Sequence, residues 1–176
     1  MARVSYIERE NASPEVHAIY EEKLKGKPGS VQKAMAHRPK ALQSFLDFYG
    51  SVGKSLDRRI YEMVYLRVSM LNQCFYCTQH HLASSKRAGL EPADWKKLLD
   101  PRSGVFSGPE QAALDFAEKL TVTPAAISGQ DVARLKQFFT DEQVVDLDLL
   151  IGLANLTNRF TGALALDLEF PEQKIG

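Results

Sequence analysis

Residues 72–81 read N-Q-C-F-Y-C-T-Q-H-H. The chain holds two cysteines and four histidines, and this stretch carries both cysteines and two of the histidines. Two thiols three residues apart can cycle between dithiol and disulfide, with the thiolate as the attacking species. An imidazole beside them can take and return a proton. The same groups are also metal ligands: Cys-x2-Cys-x3-His together with Glu62 could offer four ligands to zinc. Three of those would have to converge from one short stripe, and there is no second cysteine pair.

Taken as helix from Asn72 at about 100° per residue, Cys77 lies near roughly −60° and His81 near roughly −20° relative to Cys74. Cys74, Cys77 and His81 then share one stripe, whereas His80 lies about 120° from Cys74 and can serve Cys77 at best. His81 is the candidate acid–base residue. Asn is a strong N-cap and a weak helix-interior residue, so a helix is expected to end near Leu71 and another to begin after Asn72. That places Cys74 in a first helical turn, where unpaired N–H groups and the helix dipole favour thiolate. A fold-back at Asn72 would bring Glu62 to face His81. Glu62 sits among Tyr61, Met63 and Val64, where an unpaired carboxylate is costly, and is the candidate to orient and charge His81.

The elements that hold these groups are read from helix punctuation. Ser13-Pro14 opens a helix to about Lys25, and Gly26 stops it. Ser30 heads a short helix to Ala36, and Pro39 opens one with Leu42, Phe45, Leu46 and Tyr49 on one stripe. Ser55 is expected to cap the apolar helix LDRRIYEMVYLRVSML. The cysteine helix runs to Ala88 before Gly89, and Pro92 starts a short helix around Trp95, a packing residue. Caps at Ser107–Glu110, Ser128–Asp131 and Thr140–Gln143 head three more, the last a long helix carrying Asn155, Asn158 and Arg159. Those three polar residues are expected to serve a subunit interface or a buried network. His17 and His37 are isolated. An extended tail follows Asp167. The expectation is an all-α single domain over residues 1–176 with roughly seven or eight helices. Residues 1–27 are read as a helical extension, expected to pack on a neighbouring subunit, and 28–176 as the core.

Bulk properties narrow the function classes. A chain of 176 residues is long enough for one sizeable core. Lys plus Arg and Asp plus Glu are both 22, so there is no basic footprint for nucleic acid. No stretch approaches the roughly 20 apolar residues of a membrane span, and the N-terminus lacks the apolar run of a secretory signal. A cytoplasmic protein is expected, in which a close cysteine pair is redox-active or metal-binding rather than a structural staple.

The segment LDRRIYEMVYLRVSMLNQCFYCTQHH resembles the alkylhydroperoxidase D (AhpD)-like proteins of the carboxymuconolactone decarboxylase superfamily. Their pattern is a Glu, a Cys-x-x-Cys twelve positions on, and a His four positions past the second Cys, often with an Asn two before the first. Glu62, Asn72, Cys74, Cys77 and His81 match it. Tyr76 precedes the second Cys, where some members carry His, so a proton relay through that position does not carry over. The ANLTNRF stretch looks like the C-terminal helix of the peroxidase-related branch, and the cysteine pair counts against the decarboxylase branch. The resemblance implies an all-α fold with Cys-x-x-Cys at the start of a core helix, assembling as a homotrimer or homohexamer. It implies a thiol-dependent peroxidase with neither haem nor metal nor other cofactor. Its substrate is a hydroperoxide, and an external dithiol that the sequence does not identify is its reductant. By that resemblance Cys77 is the peroxidatic thiol and Cys74 the resolving one, while the helix dipole alone favours Cys74 as the more acidic. A thiol–disulfide exchange or redox-sensing protein, and a zinc-binding protein, are the alternatives.

Overall fold

Ten consecutive residues of one helix, Ile60 to Ser69, are buried on every side, and the other elements are arranged around them. The computed structural model describes residues 1–173. Among these residues there are nine α-helices, joined by loops and short 3-10 turns, and no strand. They are α1 (Pro14–Leu24), α2 (Ser30–Met35), α3 (Pro39–Ser51), α4 (Arg58–Leu71), α5 (Phe75–Ser85), α6 (Pro92–Leu99), α7 (Gly108–Val122), α8 (Gly129–Leu135) and α9 (Asp141–Leu164). The all-α expectation holds; the helices slightly outnumber the rough expectation because each stretch marked by helix punctuation, short ones included, forms a separate helix. No described helix is long and apolar enough to cross a membrane.

α4 is the central rod, packed by α5, α7 and α9. Its faces feed two apolar clusters. Val64, Tyr65 and Val68 join Ala113, Phe116, Leu150, Ile151 and Ala154 of α7 and α9. Met63 and Leu66 join Leu82, Leu90, Trp95 and Leu98 under α6. Trp95 is core as expected, and its indole N–H donates to Ser85 Oγ at 3.0 Å. A third cluster, Val16, Ile19, Tyr20, Ala36 and Leu42, fastens α1 to α2 and α3 of the same chain.

Most helix starts follow the expected chemistry. Ser107, Ser128 and Thr140 stand in capping boxes with Glu110, Asp131 and Gln143. α4 is a correction: its cap is Asp57, whose Oδ1 accepts from the N–H groups of Arg59 and Ile60 at 2.8 and 3.3 Å. Ser55 is drawn away by Asp146, which accepts from both its N–H and its hydroxyl. Gly53, beside it, has a positive φ of 76°, and a Cβ there would lie 2.4 Å from the Tyr61 ring.

The break between α4 and α5 is sharp. Asn72 closes α4, Gln73 turns at a φ of 52°, and Cys74 is itself the N-cap of α5. Asn72 is therefore the end of one helix rather than the start of the next. Cys74 stands just outside the helix, so the single stripe of a continuous helix survives only for Cys77 and His81. α5 also ends earlier than expected, at Ser85, with a 3-10 turn to Ala88 before Gly89.

Candidate functional site

The fold-back at Asn72–Gln73 lays α5 against α4 and sets Glu62 beside His81. His81 Nδ1 lies 2.7 Å from Glu62 Oε2. Glu62 is fully buried and accepts further hydrogen bonds from Ser84 Oγ at 2.6 Å and from Arg58. Burial alone would raise its carboxyl, but the bonds from His81 and Ser84 and the charge of Arg58 outweigh it, so the pKa is lowered. A carboxylate only accepts, so the shared proton belongs on His81 Nδ1 and leaves Nε2 with its lone pair. The His81 ring is also stacked on Tyr65 at 3.6 Å between centroids, and Tyr65 is pinned through its hydroxyl to Thr157 Oγ1 at 2.5 Å. Burial lowers the His81 pKa and Glu62 only partly offsets it. Glu62 therefore orients a neutral imidazole at pH 7, and does not charge it as the sequence reading expected.

The two thiols are free and buried. Cys77 N–H donates to Cys74 Sγ at 3.3 Å, the N-cap bond of α5. Thr161 on α9 touches both sulfurs, its Oγ1 3.1 Å from Cys74 and 3.3 Å from Cys77. The Cys77 thiol is the largest influence on Cys74: it stabilises a Cys74 thiolate against the burial that opposes it, with Thr161 and the Cys77 N–H helping. Cys77 moves the other way, pushed up by Cys74 and by burial. The negative charge of the pair thus belongs on Cys74, at the helix N-terminus.

The thiols open in different directions. Cys77 and His81 line one cavity of about 120 Å³ with Val31, Phe45, Tyr49 and Tyr65. Cys74 borders two shallow outer grooves beside the exposed Phe75. His80 faces neither sulfur by hydrogen bond; its Nε2 lies 2.9 Å from Glu169 Oε2. Glu169, in the tail after α9, also accepts from Tyr76 OH at 2.7 Å and from Ser30 N–H. Burial opposes its charge, yet these bonds hold the carboxyl down to about 2. Farther along the tail, Gln79 exchanges two hydrogen bonds with the backbone of Gln173.

Of the two roles expected for Asn155, Asn158 and Arg159, the described residues show a hydrogen-bond network, with Asn158 buried and Asn155 half-buried. Asn72 Nδ2 donates to both at 2.9 Å, and Asn158 donates to Ser69 Oγ. Arg159 donates to Asn155 at the rim. Sequence reading missed Thr161, Thr157, Tyr65, Arg58, Ser84 and Glu169. For Arg58 a signal existed, because it stands four residues before Glu62 on one helix face. Thr161 had none, lying 84 residues from Cys77. Among the described residues, no group of three or more His, Cys, Asp or Glu side chains is placed to hold a metal ion.

Comparisons place this geometry among known proteins. Residues 39–119 match the carboxymuconolactone decarboxylase family. The chain is 29% identical over 112 residues to the uncharacterized protein YdfG of Bacillus subtilis, covering 62% of this chain and 76% of YdfG. It is 31% identical over 115 residues to the uncharacterized protein YnjA of Escherichia coli, covering 62% of this chain and 60% of YnjA. A peroxidase-related protein from Silicibacter sp. TM1040 superposes with a TM-score of 0.78 at 28% identity, over 94% of this chain and 91% of that one. One from Ralstonia eutropha JMP134, described as an alkylhydroperoxidase AhpD core, gives 0.82 at 23% identity with the same coverage. The debrominase Bmp8 shares the fold at 0.74 and 17% identity, over 89% of this chain and 87% of its own. Motif, helical architecture and relatives agree: residues 39–119 match the carboxymuconolactone decarboxylase family, and the chain as a whole has the fold of the AhpD-like, peroxidase-related proteins.

Proposed function

We propose that the protein is a thiol-dependent peroxidase that reduces hydroperoxides through Cys74 and Cys77. The observation that carries this reading is the sharing of one small cavity by the Cys77 sulfur and a neutral, Glu62-oriented His81. The Cys77 sulfur attacks the peroxide, forming S–O as O–O breaks, and the alkoxide leaves as an alcohol. Cys74 thiolate then attacks the sulfenic sulfur; S–S forms, S–O breaks and the hydroxide leaves as water. With the pair starting as one thiol and one thiolate, the sum is ROOH plus Cys77 thiol, Cys74 thiolate and one proton, giving ROH, water and the disulfide. In this reading His81, which lines the cavity with Cys77, carries that proton to the leaving oxygen through Nε2. An external dithiol restores the pair by exchange, entering at Cys74 from the outer grooves. A cytoplasmic setting supplies such reductants. Assembly into a homotrimer or homohexamer belongs to the same proposal. The exposed Val145, Leu149 and Leu156 of α9 support a second copy as the occupant of that side. Asp148 and Arg159 lie exposed there too, so antiparallel α9 helices, a two-fold contact that a hexamer contains and a trimer alone does not, would set opposite charges together.

The test is a thiol count on reduced, metal-free protein before and after one equivalent of cumene hydroperoxide, with Cys74→Ser and Cys77→Ser in parallel. Loss of both thiols in the parent and a sulfenic acid trapped at Cys77 in Cys74→Ser is the expected result. Thiols consumed no faster than free cysteine would sink the peroxidase reading. The outward grooves at Cys74 would then favour disulfide exchange with protein thiols.

A further inference from the structure

The acidic thiol and the cavity-facing thiol are different residues. Cys74 is the N-cap of α5 and accepts the Cys77 N–H, which favours the thiolate there, whereas Cys77 lines the cavity with His81. Charge must therefore pass from one sulfur to the other before Cys77 can attack, inside a buried site where an unsolvated anion is costly.

We propose that Thr161 is a catalytic residue whose single hydroxyl serves both sulfurs, turning from Cys74 to Cys77 as the Cys77 proton crosses to Cys74. This rests on the reading of the pair as redox-active. The hydroxyl oxygen is buried and lies 3.1 and 3.3 Å from the two sulfurs. It also lies 2.9 and 3.2 Å from the carbonyl oxygens of Thr157 and Asn158 in the preceding turn of α9. One proton cannot serve all four. The carbonyls lie inside α9 and have helical N–H partners, so releasing the hydroxyl leaves no backbone group bare. A thiolate gains more, because a hydrogen bond to a charged acceptor is roughly twice as strong as a neutral one.

In the transfer the S–H bond of Cys77 breaks, a new one forms on Cys74, and the hydroxyl turns through the small arc between two acceptors. No atom enters or leaves. Cys74 keeps the Cys77 N–H at 3.3 Å throughout, so Thr161 is the movable donor of the site. The other titratable groups facing the pair are His80, His81 and Tyr76 on α5 and Tyr65 on α4; none of them makes a hydrogen bond to both sulfurs.

The experiment is a thiolate titration by ultraviolet absorbance on full-length Thr161→Val, Thr161→Ala and Thr161→Ser, each first checked for helical content and cooperative unfolding. Thr161→Val should raise the thiolate midpoint by about one pH unit and slow cumene hydroperoxide-driven thiol loss by about tenfold, with Thr161→Ser restoring both. Should Val at this position unfold the protein, Thr161→Ala gives the same reading with less bulk. A folded Val or Ala variant whose midpoint is unmoved overturns the proposal, and a loss of stability without a shift would mark Thr161 as a packing residue. The midpoint needs no peroxide. A shifted midpoint in a protein inert to hydroperoxide would keep Thr161 as the sulfur partner and remove the peroxidase reading alone.

Discussion

At the scale of single residues, Glu62 decides the most. It is an anion without solvent, kept charged by His81, Ser84 and Arg58. Glu62→Gln should cost about 3 kcal/mol or more of stability, since the amide keeps only one acceptor oxygen and turns an N–H2 donor toward either Arg58 or His81 and Ser84, and should slow thiol oxidation by about 100-fold. Urea unfolding and stopped-flow thiol loss measure the two. His81 gives a pH signature. Its folded pKa lies below the ordinary histidine value of 6.5. The unfolded chain therefore binds a proton first, and this contribution to stability is present above pH 6.5 and lost as pH falls below it. A His81→Gln variant should flatten the urea midpoint between pH 6.5 and 5; an equally steep fall in the variant would assign that dependence to other groups. The candidate residues Glu62, Cys74, Cys77 and His81 were legible because each is a rare or costly type in a short span. Thr161 and Tyr65 were not, since a Thr or Tyr in an apolar helix looks like packing until tertiary contact brings it to a sulfur or an imidazole.

At the scale of elements, the three-residue break between α4 and α5 positions everything. Gln73 adopts a left-handed backbone that a β-branched side chain strongly resists. Gln73→Val should lose about 1–2 kcal/mol and loosen the register of Cys74, read as a lower urea midpoint together with faster alkylation of both thiols. Unchanged values in both assays would show that the break is fixed by its flanks. Asn72 is the main flank, tying the turn to α9 through two 2.9 Å bonds. Sequence punctuation revealed that a break existed here but shifted its parts. Asn72 reads as an N-cap by type, yet it serves as the closing residue of α4 because its amide is claimed by Asn155 and Asn158. Ser55 lost its capping role for a similar reason, with Asp146 taking its hydroxyl. In both cases a partner far along the chain redirected a local preference.

At the scale of the whole molecule, the tail after α9 returns across the cysteine helix and is fixed there by Glu169. Its lowered carboxyl gives stability that is full above about pH 4.5 and lost as pH falls toward about 2. Glu169→Ala should speed limited proteolysis between residues 167 and 173 at neutral pH while α4 and α5 stay intact. A tail equally resistant in the variant would show that the Gln79–Gln173 bonds alone suffice. The outer side of α9 tests assembly. Leu149→Glu with Leu156→Glu should reduce the mass seen by light scattering, at the limit to that of one chain, 19.7 kDa. A wild-type protein already at that mass would remove the homo-oligomer from the proposal.

The placement of Cys77 toward the inner cavity and Cys74 toward the outer grooves has a kinetic consequence. An oxidant and a reductant that arrive from opposite sides of α5 do not queue at one doorway. A dithiol reductant as large as another protein could dock over Phe75 while a small oxidant occupies the inner cavity, each docked dithiol supplying the two electrons of one turnover before it is exchanged for another. Turnover would then follow the supply of each reagent separately, without high concentrations of one shutting out the other.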